Sequence, residues 1–381
     1  MLDHPVAVIA VNPDVLKWAR NERGYDRTSA AGVLKISELE LAAYESGTKK
    51  PNVSMLRHMA ARYEINFASL LLPDPPPPLP KIHDFRTFSA GFASTLTHST
   101  TVAIQEVRDA LAAFAELRDV DPDAVPFPRL DYARPKESPE DLAARYRRRF
   151  GLGVDDQQRW PSQAFARDEW RRRIEALGVF VYLKPMNLND CRGFSMVHEG
   201  LAAICINDKE ESAGAETFTL WHEFCHLLIR QTGISDENRY NRTERYCNLF
   251  AASFLIPKTK LREMLNSPTK PNEYSDATVK RLANSFKVSN RALALRLEYT
   301  GLAPKGFYSR RTAAWDIPKP KKSTPVKKGI SAVARAVRVF GGHHTKTVLK
   351  AHKSGLLTGA DAHHMLDVPI QSFPRLRLAV E

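Results

Sequence analysis

Apolar residues recur along this chain in two rhythms, one helical and one strand-like. Over residues 12–72 they fall three or four apart and are interrupted by Gly and Pro. Leu16 and Ala19 follow Asn12-Pro13, a capping residue with proline at the first helical position, and Gly24 closes that helix. Residues 29–34 read as a second helix. Ser37, with Glu40 three residues on, has the form of a capping box for a third that turns Leu41 and Tyr44 inward. Gly47 stops it, and Pro51-Asn52 opens a fourth bearing Leu56, Met59, Ala60 and Tyr63. Four short helices with tight turns suit a helix-turn-helix module, although any small helical bundle would share the pattern.

Residues 73–80, Pro-Asp-Pro-Pro-Pro-Pro-Leu-Pro, cannot continue a helix or a central strand and read as a linker. Beyond them, helical spacing returns near 99–119, again over 142–150, and from Trp170 to Leu177. Three short apolar runs follow, at 179–183, 193–197 and 202–207, and read as strands. Helical signal resumes at about 214–230 and 242–256. The expected fold is mainly α with a small antiparallel β-sheet. Its domains are a helical unit at 1–72, a catalytic-sized domain at 81–315, a Lys/Pro-rich linker at 316–329 and an extension at 330–381. Arg171, Arg172 and Arg173 are expected to lie on a solvated helix face.

Charge changes the picture mainly at one end. The 381 residues carry a formal net charge of +13, and residues 301–381 hold fifteen Lys and Arg against four acidic residues. Residues 1–72 are nearly neutral, with nine bases against eight acids. A polyanion would be drawn first to the C-terminal part, and a basic surface that only aids solubility has the same composition. Cys191, Cys205, Cys225 and Cys247 are too few and too scattered for a disulfide framework. No run is long enough to span a bilayer, no Gly-rich phosphate loop is present, and the first residues, with Asp3 and His4 ahead of a short apolar run, are not expected to act as a signal peptide. The expectation is a cytoplasmic protein that uses neither membrane nor nucleotide.

The chemistry is concentrated in one stretch. Trp221-His222-Glu223-Phe224-Cys225-His226 contains His-Glu-x-x-His inside an apolar helical segment. Spacing of four stacks His222 and His226 on one helical face, where both can reach a single Zn2+. Glu223 stands beside them, placed to accept a proton from a water and pass it to a leaving amine. The next helix carries Glu244 one turn before Cys247 and Asn248. If the two helices run antiparallel, Glu244 becomes the third protein ligand and leaves a fourth position open, the geometry of a hydrolytic site. The pairs His343-His344 and His363-His364 lack an accompanying acidic or cysteine cluster and are not expected to hold a metal. Cys225 and Cys247 read as packing residues.

The segments from Phe218 to Leu228 and from Glu244 to Pro257 resemble the ImmA/IrrE family of zinc metallopeptidases, whose helices usually read F-T-L-A-H-E-x-G-H and E-x-x-A-N-x-F-A-A-x-L-L-M-P. Asn207 matches an I-x-L-N just upstream. Trp221 replaces Ala, Cys225 replaces Gly, Cys247 replaces Ala, and Phe254-Leu255-Ile256 replaces Leu-Leu-Met. The resemblance implies one Zn2+ per chain on His222, His226 and Glu244, with Glu223 as catalytic acid-base. It also implies a zincin-like domain and a protein substrate, often a cognate repressor or regulator.

Residues 12–72 resemble the lambda-repressor-type helix-turn-helix, with Tyr44-Glu45-Ser46-Gly47 where W-E-x-G is common. Residues 82–87 resemble the joint P-x-x-D-F-R-T of such two-domain proteins, and residues 288–300 a further family segment. This implies DNA contacts from Thr28, Ser29, Lys35, Ser37, Glu38, Lys49 and Lys50. The alternatives are a DNA-binding regulator whose zinc domain is not proteolytic, or a helical unit that docks a protein. The small charge of residues 1–72 means that DNA binding would need help from a homodimer or from the basic C-terminal part.

Overall fold

A computed structural model describes residues 11–75, apart from 64 and 66, then 96–230, 237–266, 271–315 and 330–381; for 237–241 only the backbone is described. Most of the expected first linker, the 82–87 segment and the whole 316–329 linker lie outside these residues. The chain divides into two compact units, with the boundary inside the helix that starts at His98.

In the first unit the helices begin where capping chemistry dictates. Asn12 accepts from Asp14 N at the start of α1 (Pro13–Glu22), and Asp26 accepts from Ser29 N at the start of α2 (Arg27–Leu34). Asp26 is why α2 starts two residues earlier than its apolar spacing suggests. Ser37 accepts from Glu40 N to open α3 (Glu38–Ser46), which Gly47 closes in the left-handed conformation. α4 (Val53–Tyr63) and a 3-10 turn (Phe67–Leu71) complete the unit. Leu16, Leu34, Leu41, Leu56, Met59 and Tyr63 share its core. Glu45, 1% exposed, is neutralised there by Arg20 at 2.5 Å.

α5 (His98–Val120), α6 (Pro139–Phe150), α7 (Val154–Arg159) and α8 (Gln163–Glu175) precede the sheet. The sheet has β1 (Val179–Lys184), β2 (Gly193–His198) and β3 (Leu201–Asn207) in the order β1-β3-β2. It is mixed rather than wholly antiparallel, because β3 pairs antiparallel with β2 but parallel with β1. Glu199 and Gly200, both at positive φ, make the two-residue turn that folds β2 onto β3. β3 is thereby inserted between the two earlier strands and is buried throughout.

The active-motif helices come next, α9 (Ala213–Ile229) and α10 (Glu237–Leu255), followed by α11 (Lys258–Met264), α12 (Asp276–Phe286), α13 (Asn290–Tyr299) and α14 (Phe307–Trp315). α9 lies on β2 and β3, while α10 packs against α9 and α6. Arg296 of α13 is enclosed in this core, where its guanidinium binds Ile256 O, Ser253 and Glu140.

The last helices are α15 (Ala332–Lys353), α16 (Gly359–Leu366) and α17 (Phe373–Val380), with α15 laid along β1. α15 breaks at Gly341, whose φ of 80° suits glycine and whose missing Cβ makes room for Glu175. The break frees main-chain carbonyls, and Arg171 donates to those of Val337, Arg338 and Val339. Glu175 binds Arg171 and accepts from Gly342 N. The expectation of a solvated arginine run therefore fails at Arg171, which is 6% exposed; Arg172 beside it does face solvent. No described helix is long and apolar enough to cross a membrane.

Candidate metal centre

Ser212 caps α9, and the helix carries His222 and His226 toward α10, with Glu223 buried between them in sequence. The helices meet through aromatic side chains. Trp221 stacks on Phe254 of α10 with ring centroids 3.5 Å apart and meets Trp170 of α8 edge-on. A large ring at position 221 thus fills the helix interface next to the first histidine.

Across that interface, α10 presents Glu244. His222 Nε2 lies 3.2 Å from one carboxylate oxygen and His226 Nε2 lies 3.2 Å from the other, while the two Nε2 atoms are 3.1 Å apart. Ligands bonded tetrahedrally to zinc at 2.0–2.1 Å sit about 3.3 Å from one another, so a single ion matches this spacing. The chemistry of the donors matches as well. His222 Nδ1 is 2.9 Å from Asn248 Oδ1, to which it can only donate, and that tautomer leaves the Nε2 lone pair pointing at Glu244. Three lone-pair donors converging at 2–21% side-chain exposure need either shared protons or a cation.

Electrostatics within the cluster point the same way. Burial pushes the Glu244 carboxyl up, but hydrogen bonds and charge from His222 and His226 outweigh it and hold the group down at about 2. Burial alone would lower both histidines. Glu244 and Glu223 raise His222 against it, and Cys247 and Glu244 raise His226. His222, His226 and Glu244 form a group able to coordinate a metal ion.

Residues 174–298 match the family model Peptidase_M78, the IrrE N-terminal-like domain. No curated protein and no solved structure matches the chain. The M78-like domain is about a third of the 381 residues and spans the end of α8, the sheet, and α9 to α13; the first unit lies outside it.

Glu223 is 3% exposed, and its Cγ packs close to Gly193 at the start of β2. A Cβ on Gly193 would come within 3.3 Å of Glu223 Cγ and 2.6 Å of Thr219 Cγ2, so glycine is what lets the strand pass so close. Asn207 pins the neighbouring loop: its side chain accepts from Met186 N and donates to Met186 O and Cys191 O. Sequence reasoning found Asn207 by motif and missed Gly193, whose constraint comes from a helix more than twenty residues later.

Cys247, expected as packing, has its sulfur 3.6 Å from His226 Nδ1 and in contact with Cys225. The four cysteines are buried free thiols.

The seven residues expected to touch DNA are all exposed. Thr28 and Ser29 lie in the first turn of α2, Lys35 and Ser37 in the turn to α3, Glu38 at its start, and Lys49 and Lys50 after it. Lys49 is tied to Glu40 at 2.6 Å, and Ser29 and Ser37 already serve the helix caps.

Proposed function

We propose that this protein is a zinc-dependent metalloendopeptidase. The observation that carries the reading is the convergence of His222, His226 and Glu244 in an M78-like domain, with Glu223 buried beside them. A zinc ion held there would polarise a peptide carbonyl and make water acidic enough to be deprotonated at neutral pH. Glu223 would be the group that accepts the proton of the attacking water and returns it to the amide nitrogen as the C–N bond breaks. Gly193 leaves room for Thr219 and Glu223 against the strand, because a Cβ there would clash with Thr219 Cγ2 and Cys205 O and crowd Glu223 Cγ. The family resemblance supplies the substrate class, a protein such as a cognate repressor or regulator.

The test is Glu223→Gln in the full chain. The variant is expected to retain one zinc per chain and to lose cleavage of a partner captured by cross-linking; cleavage at the wild-type rate would refute the assigned role.

A second reading, that residues 1–72 bind DNA, is favoured by the short 35–37 turn between α2 and α3 and by exposed Lys35 and Lys50, which carry no ion pair among the described residues. A steep salt dependence with sequence preference, lost on removing 1–72, would support it. Equal affinity for any DNA, carried by 301–381, would leave the peptidase reading alone.

A further inference from the structure

α10 supplies more to the centre than Glu244. Cys247 and Asn248 follow it at i+3 and i+4, and so return to the same helical face. Each meets the outer nitrogen of one histidine: Asn248 Oδ1 is 2.9 Å from His222 Nδ1, and Cys247 Sγ is 3.6 Å from His226 Nδ1. We propose that Asn248 and Cys247 are positioning residues that hold His222 and His226 in the tautomer whose Nε2 faces Glu244. The inference rests on the metal-site reading above and deepens it.

A neutral imidazole carries its proton on either nitrogen, and only the unprotonated one can ligate. An acceptor at Nδ1 selects the proton there and frees Nε2. Asn248 does this for His222 with an amide oxygen at full hydrogen-bond strength. For His226 the acceptor is a sulfur, which is weaker and longer in reach. Cys247 is fully buried, and its sulfur, 3.6 Å from His226 Nδ1, offers a lone pair to the imidazole N–H. Cys247 stands where the motif quoted above has Ala, so this sulfur contact belongs to this chain. The two clamps are unequal, and His222 is the more firmly held.

The experiment measures zinc affinity of the full-length protein by competition with a chelator, with circular dichroism and melting to confirm the fold. Asn248→Ala is expected to weaken zinc binding about 10- to 100-fold. Asn248→Asp, which keeps an acceptor, is expected to rescue most of it. Cys247→Ala is expected to lose roughly threefold, as suits a weak acceptor. If the wild-type protein binds no zinc, the metal-site reading itself fails. If the wild type binds zinc and Asn248→Ala binds equally well, the positioning role is overturned. Equal losses in the Ala and Asp variants, with the fold intact, overturn it too, since they would report packing rather than an acceptor. Nitrogen NMR of histidine-labelled, zinc-loaded wild type needs no variant. Protons on Nδ1 of both His222 and His226 are expected, and a proton on either Nε2 would refute the proposal.

Discussion

The second unit encloses two pairs of histidines, and their surroundings push them in opposite directions. His343 and His344 sit on α15 against β1. His344 is 2% exposed, with Nε2 on Met365 O at 2.9 Å and Nδ1 on the Tyr182 hydroxyl at 3.1 Å, and burial holds it down at about 3. His343 stacks on Phe180, and burial, helped by Lys346, holds it at about 4. His222 and His226 are enclosed too, yet Glu244 reverses the effect and raises both. Apolar enclosure alone makes a neutral, structural imidazole. A carboxylate reaching the same two nitrogens makes a place for positive charge, whether protons or a metal ion.

Removing one ring from each pair should break the comparison most sharply. His226→Ala is expected to weaken zinc binding on the order of a hundredfold or more, since it deletes a ligand. His344→Ala is expected to leave metal content unchanged and to lower stability by about 2 kcal/mol, because Tyr182 OH and Met365 O lose their partner. Metal analysis and denaturant melts on the two variants decide it; metal loss from His344→Ala would erase the distinction.

Acidity gives the next largest effect. In the metal-free protein the lowered Glu244 contributes stability that is present above its ordinary value of 4.5 and lost as pH falls toward about 2. The raised histidines contribute stability that is complete below 6.5 and lost as pH rises through their folded values. The metal-free site is therefore firmest between 4.5 and 6.5. Zinc must displace the histidine protons, so its affinity should still climb above pH 6.5, about tenfold per pH unit for each proton released. Chelator-treated melts and zinc titrations from pH 5 to 9 test this, and a flat affinity would contradict the raised histidines.

Gly193→Ala sharpens the contrast from the Glu223 side. Pushing on Thr219 and Glu223 should cost about 1–3 kcal/mol of correct placement, seen as a roughly tenfold or greater loss of cleavage with metal retained. The smallest change belongs to His343, whose buried Nε2 has no hydrogen-bond partner. His343→Phe keeps the stack on Phe180 and is expected to alter stability by about 1 kcal/mol or less, with metal content untouched.

What was legible in the sequence is what depends on neighbours a turn or a strand away. The helices that carry the His-His-Glu cluster, the three strands and the helical composition of the first unit all follow from local spacing and caps. The order of the strands does not, because it is set by pairing between distant segments. Arg171 and Arg172 are indistinguishable by type, and only the break at Gly341, some 170 residues onward, selects Arg171 for burial. The roles of Asn248 and Cys247 likewise depend on which way α10 turns toward α9. What the first unit binds is not written in its caps, since the same Ser and Asp residues would open those helices for DNA, for protein or for neither.

X-ray absorption at the zinc edge of the loaded wild-type protein tests the central claim most directly. The account predicts one zinc per chain with a shell of two imidazole nitrogens and carboxylate or water oxygen at about 2.0–2.1 Å, and no sulfur even though Cys247 lies behind His226. Substoichiometric zinc, or a sulfur shell at about 2.3 Å, would contradict it.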